Sequence, residues 1–158
     1  MFLSFTASAL FEILLLLLVI VIFVTVGSFF IIRDLRLEMK QVYKIRSRFH
    51  IEIRKIVNLM YNAHNSSHLE PFTKVVIKNL PHEEKKILLR NIDKAYTELN
   101  LESEENKYII ETYDNLQKLR RERDAKILVY NQKLLTFPFS IYAPILRLRK
   151  YELYTENE

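Results

Sequence analysis

The side chains of this chain that could do chemistry are few and widely spaced. Its histidines are His50, His64, His68 and His82, and cysteine is absent. Without cysteine there is no disulfide, no thiolate metal site and no thiol nucleophile. His64 and His68 have the i, i+4 spacing that places two imidazoles on one helix face, as a helical metal pair requires. Asn65-Ser66-Ser67 between them reads as a turn and no third ligand stands nearby, so no metal site is expected. The single glycine, Gly27, lies in an apolar run, which leaves no phosphate-cradling loop. No nucleophile elbow, Walker sequence or dinucleotide fingerprint occurs. Arg120, Tyr130 and Asn131 are the one set that an enzyme of unfamiliar type could use. Each also has a structural reading: Arg120 snorkelling at a domain edge, Tyr130 burying its ring with its hydroxyl bonded, Asn131 bonding backbone at a helix crossing. No catalytic residue and no cofactor is expected, and the chain reads as a non-enzyme.

The elements that position these residues begin with Ile13 to Ile32, an uncharged stretch. At about 1.5 Å per residue it spans roughly 30 Å, the thickness of a bilayer's hydrocarbon core. Thr25 and Ser28, its only hydroxyls, can bond back to helix carbonyls. The preceding residues hold no Lys or Arg and no small-x-small cleavage site follows, so a transmembrane anchor is predicted rather than a cleaved leader.

All 24 Lys and Arg follow this stretch, as do all the acids except Glu12. Arg33, Arg36, Lys40, Lys44, Arg46 and Arg48 crowd its C-terminal flank. The positive-inside rule then places the N-terminus outside and residues 33–158 in the cytoplasm. The basic excess beside the bilayer points to anionic lipid headgroups, and no nucleic-acid partner is expected because no binding motif accompanies it.

Beyond the anchor, Leu35, Met39, Val42, Phe49, Ile53, Ile56 and Met60 form a four-three stripe with Arg46 in its gap, predicting a stalk helix to about Asn62 that could be continuous with the anchor. Ser67 and Glu70 have capping-box spacing, predicting a helix through Leu69, Phe72, Val75, Val76 and Leu80. Pro81, Glu83 and Glu84 open a third helix to about Asn100. Ser103 caps a fourth, from about Glu104 to Thr136, whose stripe is Ile109, Tyr113, Leu116, Ile127, Tyr130, Leu134 and Phe137, with Arg120 and Arg123 in its gaps. These stripe arginines either snorkel at an edge or form a polar layer that fixes register. If neighbours pack antiparallel, the fourth helix returns to the membrane and delivers the apolar, aromatic stretch Phe137 to Leu146, followed by Arg147, Arg149 and Lys150. That stretch either docks on the headgroup zone or covers the open end of the domain.

Residues 120–155 resemble the C-terminal signature of the LemA family of bacterial membrane proteins. The signature runs from an arginine through two Tyr-Asn pairs, separated by a branched apolar residue, to Phe-Pro, an apolar-alanine stretch and a basic-aromatic tail. Here the arginine is Arg120, the branched residue Ile127, the second pair Tyr130-Asn131, the Phe-Pro Phe137-Pro138 and the alanine Ala143. Arg123-Asp124 replaces the first pair. An N-terminal motif survives as Ile56-Val57-Asn58-Leu59, without its proline, and Glu105-Asn106-Lys107-Tyr108 resembles a Glu-Asn-aromatic element. The resemblance implies a helical domain tethered to the bacterial inner or cytoplasmic membrane and implies no reaction.

The fold class expected is all-α: one N-terminal transmembrane helix, then an antiparallel bundle of about four helices, two of them long. The divisions are a short extracytoplasmic segment (1–12), the anchor (13–32), a cytoplasmic bundle (33–136) and an aromatic, basic tail (137–158). The function expected is that of a LemA-like structural or interaction protein that self-assembles. The alternative is an accessory subunit of a membrane signalling or envelope-stress system. Expected partners are the lipid bilayer, its anionic headgroups, and either further copies of the chain or another membrane protein.

Overall fold

The computed structural model describes residues 2–64, 67–100 and 103–154, and every described element is helical. The side chains of residues 2–8, His64 and Glu105 lie outside that description, as do the expected turn at Asn65-Ser66 and the last four residues of the tail. The N-terminal helix α1 runs unbroken over Phe2–His64, 63 residues, so the anchor continues directly into the stalk. No proline interrupts it, and Leu, Arg, Lys and Glu sustain it by propensity. Thr25 and Ser28 bond back to Val21 O and Val24 O at 2.7 and 2.6 Å.

The exposure of α1 changes along its length. From Leu10 to Val26 its large apolar side chains are all exposed, Phe23 by 81%. From Leu35 onward one face closes: Leu35, Val42, Phe49, Ile53, Ile56 and Met60 are at most 1% exposed. The partner along that face is α4, Lys107–Leu135. Lys133 Nζ meets Asp34 at 2.7 Å, Lys126 Nζ meets Gln41 at 3.0 Å, and Asn115 Nδ2 meets Glu52 at 3.1 Å. Numbers rise along α1 as they fall along α4, so the two helices are antiparallel with a single register. A one-turn 3₁₀ segment, Glu104–Asn106, starts α4 where the sequence pattern puts α-helix from Glu104, and neither it nor α4 has a side-chain cap.

Helix α3, His82–Thr97, starts at Pro81 with Glu83 and Glu84 in its first turn, as those residues predict, and stops short of Asn100. Its Leu88, Leu89, Ile92 and Ala95 join α1 and α4 in a core distal to the apolar stretch of α1. A second core, proximal to that stretch, gathers Leu35, Val42, Ile127, Tyr130, Leu134 and Ala143.

The helix expected from Ser67 to Leu80 is a correction. Only α2, Glu70–Thr73, and a 3₁₀ turn, Ile77–Asn79, form, and the capping box is not made. Arg54 explains the interruption, because its guanidinium donates to the carbonyls of Phe72, Thr73 and Val75 that a continuing helix would use. The β-branched run Val75-Val76-Ile77 adds little helical propensity to oppose it.

After α4 the chain turns at Thr136–Pro138 into α5, Phe139–Ile145. Arg147, at φ 53°, closes α5: its N–H bonds Pro144 O at 3.0 Å and the Leu148 N–H bonds Ala143 O at 2.9 Å. This is a Schellman turn with arginine where glycine is usual, and it sends residues 148–154 back along α4 without helical structure.

Candidate functional site

Arg120, Arg123, Asp124 and Asn131 project from one face of α4, because spacings of three, four and seven return to the same side of a helix. They converge on the backbone of the tail. Asn131 Nδ2 donates to Tyr151 O at 2.8 Å, and Tyr151 N donates to Asn131 Oδ1 at 3.0 Å. Arg123 donates to Glu152 O at 2.8 Å, Tyr154 N donates to Asp124 at 2.9 Å, and Arg120 reaches Tyr154 O at 3.5 Å. Arg123 and Asp124, both about 95% buried, are also joined to each other. Arg120 further meets Asp93 of α3 at 3.5 Å, where Tyr113 and Gln117 each donate at 2.9 Å.

Two tail rings enter pockets between the helices. Tyr151 lies 5.6 Å from the Tyr130 ring and 6.3 Å from Tyr43, with the Arg46 guanidinium 4.6 Å from its centroid. Tyr154, 6% exposed, stacks on His82 at 4.6 Å and receives the Arg123 guanidinium at 3.9 Å. Burial first, then Tyr43, pushes the Tyr151 phenol up to about 12, and burial raises Tyr154 and Tyr130. All three are neutral phenols at pH 7. Burial lowers the pKa of His82, opposed by Glu152, whose carboxylate lies 3.5 Å from Nδ1.

Chemically this is a clamp for a peptide backbone. One amide and one carboxylate–guanidinium pair satisfy N–H and C=O groups as a neighbouring strand would, and two aromatic pockets select rings three residues apart. The polar groups occupy the level between the two apolar cores, where Arg46 and Arg123 interrupt both stripes. Of the two readings of those arginines, the polar layer is the one their geometry fits.

The other residues singled out by sequence separate into groups. Tyr130 is buried to 1% exposure and Ala143 lies in the proximal core, while Phe137 is 77% exposed. Pro138 is the N-cap residue of α5, and the last helical residue of α4 is Leu135. Asn131 bonds the tail and not a helix crossing. The exposed bases Arg33, Arg36 and Lys40 of α1 and Arg147, Arg149 and Lys150 after α5 come to one end of the domain, because Leu146 packs with Ile31 and Leu35. His68 Nε2 lies 3.3 Å from Lys94 Nζ. The roles of Asp124, His82, Asp93, Tyr151 and Tyr154 were not anticipated. The one hint is that Tyr151 and Tyr154 are spaced to be held by the helix face that carries Arg120 and Asn131.

Helix α5 sits against the apolar stretch of α1, with Tyr142 Oη 2.5 Å from Ser28 Oγ. Its inner face is Phe139, Tyr142 and Ala143, and its outer face, Ile141 and Ile145, is 53% and 70% exposed.

No family model, no curated protein and no solved structure matches the chain. Fold and site define a helical protein with one apolar helix long enough to cross a membrane, whose tail is clamped along its second long helix.

Proposed function

We propose that the protein is a membrane-anchored, LemA-like structural or interaction protein that self-assembles. Residues 13–32 cross the bacterial inner or cytoplasmic membrane with the N-terminus outside. Residues 33–158 form a cytoplasmic helical bundle of about four helices, closed by the clamped tail. The observation that carries this reading is the passage of α1, without a break, from apolar on every side to buried on one side at Leu35. A helix apolar on every side over about 30 Å matches the hydrocarbon core of a bilayer. Arg33 and Arg147 stand at the depth of anionic headgroups, with the other four bases extending the basic surface away from it, and the outer face of α5 enters the same zone.

A second reading, an accessory subunit for another membrane protein, is supported by a groove on the opposite side of α1 and α4. It is floored by Ile45, Ala125 and Val129 and rimmed by Lys44, Arg48 and Lys126.

Light scattering of the full-length protein in mild detergent separates the two. A single homogeneous species of several times 19.0 kDa is expected. A monomer overturns self-assembly and moves the search to crosslinked partners. Release of the protein from membranes by alkaline carbonate would overturn the anchor.

A further inference from the structure

Beside the clamp, on the far side of Arg46, lies an open cleft of about 610 Å³ between α1 and the loop that follows α2. Its lining includes Tyr43, Arg46, Ser47, His50, Arg54 and Lys78, with no acidic side chain among them. Lys85 stands behind the wall, 5% exposed, with Nζ 3.1 Å from Lys78 O. Among the described residues none of Arg46, Arg54, Lys78 and Lys85 forms a salt bridge to a carboxylate. Burying a lysine normally demands a counter-charge, yet here the neighbours are further cations. His50 reports the same field: burial first, then Lys85, Arg46, Arg123 and Lys78, lowers its pKa to about 4. The cleft therefore gathers cations that no carboxylate of the described residues meets in a salt bridge.

The roles of its residues differ. Arg54 is committed to three loop carbonyls and shapes the wall that carries Lys78. Arg46 is held over the Tyr151 ring, which fixes the guanidinium in place at the cleft edge. A volume of this size accommodates a small molecule, and Ile51 and Val76 supply an apolar border.

We propose that this cleft binds a small phosphate-bearing anion from solution, with Arg46 and Lys78 as charged contacts and Tyr43 and Ser47 as neutral donors. Phosphate suits it better than a single carboxylate, because several cations call for more than one negative charge and guanidinium matches phosphate oxygens in pairs. A lipid headgroup is the other source of that chemistry. Tyr43 stands ten residues beyond Arg33, about 15 Å along the helix, farther than a screening length from the surface. Only this choice of source rests on the membrane reading; the site itself does not.

The test is calorimetric titration of the full-length protein in neutral detergent with inorganic pyrophosphate, at constant ionic strength. Saturable one-to-one binding is expected. Lys78→Gln, an exposed position whose loss leaves the fold intact, should weaken it at least about tenfold, and Arg46→Gln/Lys78→Gln further. Lys44→Gln/Arg48→Gln removes equal charge from the opposite face and should leave Kd within about twofold. Absence of saturable binding, or equal weakening by both pairs, overturns the proposal. In vesicles of phosphatidylcholine or phosphatidylglycerol the affinity should be the same. Its loss in phosphatidylglycerol would show a headgroup competing for the site and overturn the soluble ligand, while leaving the anchor reading untouched.

Discussion

Asn131 holds the backbone of Tyr151 at both its hydrogen-bonding atoms, donating to O at 2.8 Å and accepting from N at 3.0 Å. A carboxamide does both at once from two separate atoms, whereas carboxylate lacks the donor and ammonium the acceptor. The pairing extends a helix face into a one-rung ladder, and the rest of the clamp follows along the tail.

Replacing Asn131 by Ala removes both bonds and leaves the half-buried Tyr151 amide without them. A loss of about 1–3 kcal/mol is expected, seen as a lower urea midpoint. Trypsin should also cut faster after Arg149 and Lys150, which lie between the Schellman turn and the clamp. Asn131→Asp should reproduce most of the loss. Unchanged cleavage in both variants would mean that the aromatic pockets alone hold the tail.

The buried Arg123–Asp124 pair makes a sharper forecast. Asp124→Ala strands a guanidinium in a site that is about 95% buried and deprives the Tyr154 amide of its acceptor. The cost should be about 3–5 kcal/mol. Arg123→Met with Asp124→Leu removes both charges and should cost less than Asp124→Ala. If the double variant is the worse of the two, the pair contributes through its contacts to Glu152 and Tyr154 more than through mutual neutralisation.

His50 sets a pH dependence. Its folded pKa is lowered to about 4, whereas an unfolded chain protonates near 6.5. Between those values the unfolded state binds more protons, so stability falls as pH drops through the window and is level above it. His82, also lowered, acts in the same sense. Urea midpoints at pH 7.5 should exceed those at pH 5, and His50→Gln should reduce the difference. A His50→Gln variant with the full acid sensitivity would place the effect elsewhere.

The outer face of α5 can be located with a single label, since the chain has no cysteine. Ile141→Cys carrying a polarity-sensitive fluorophore should be quenched by brominated acyl chains in reconstituted vesicles. Asn115→Cys, far along α4, should not. Equal quenching would refute insertion of α5 beside the anchor.

The long elements were legible in the sequence because apolar spacing over many turns is a redundant signal. The stripe from Leu35 to Met60 and that from Ile109 to Leu134 lie where they pack, and α1 realises the continuity that the pattern allowed. The second helix was misread because Ser67 and Glu70 have the right spacing, and nothing local reveals that Arg54, about eighteen residues earlier, captures the carbonyls of that segment. The clamp was half legible. Arg120, Tyr130 and Asn131 stood out on α4, but the tail they hold carries no periodicity of its own, and backbone groups as partners leave no mark in side-chain pattern. Phe139 and Ile141, alike as apolar letters, separate into inner and outer faces only once α5 is placed against Ser28.

The antiparallel register of α1 and α4 has a consequence during synthesis. Val42 leaves the ribosome long before Ile127 and Leu134 exist to cover it. At about 5–20 residues per second, the roughly ninety intervening residues take several seconds or more. For that interval the nascent stalk shows Phe49, Ile53 and Ile56 to the cell, an apolar face that a chaperone can hold until α4 arrives.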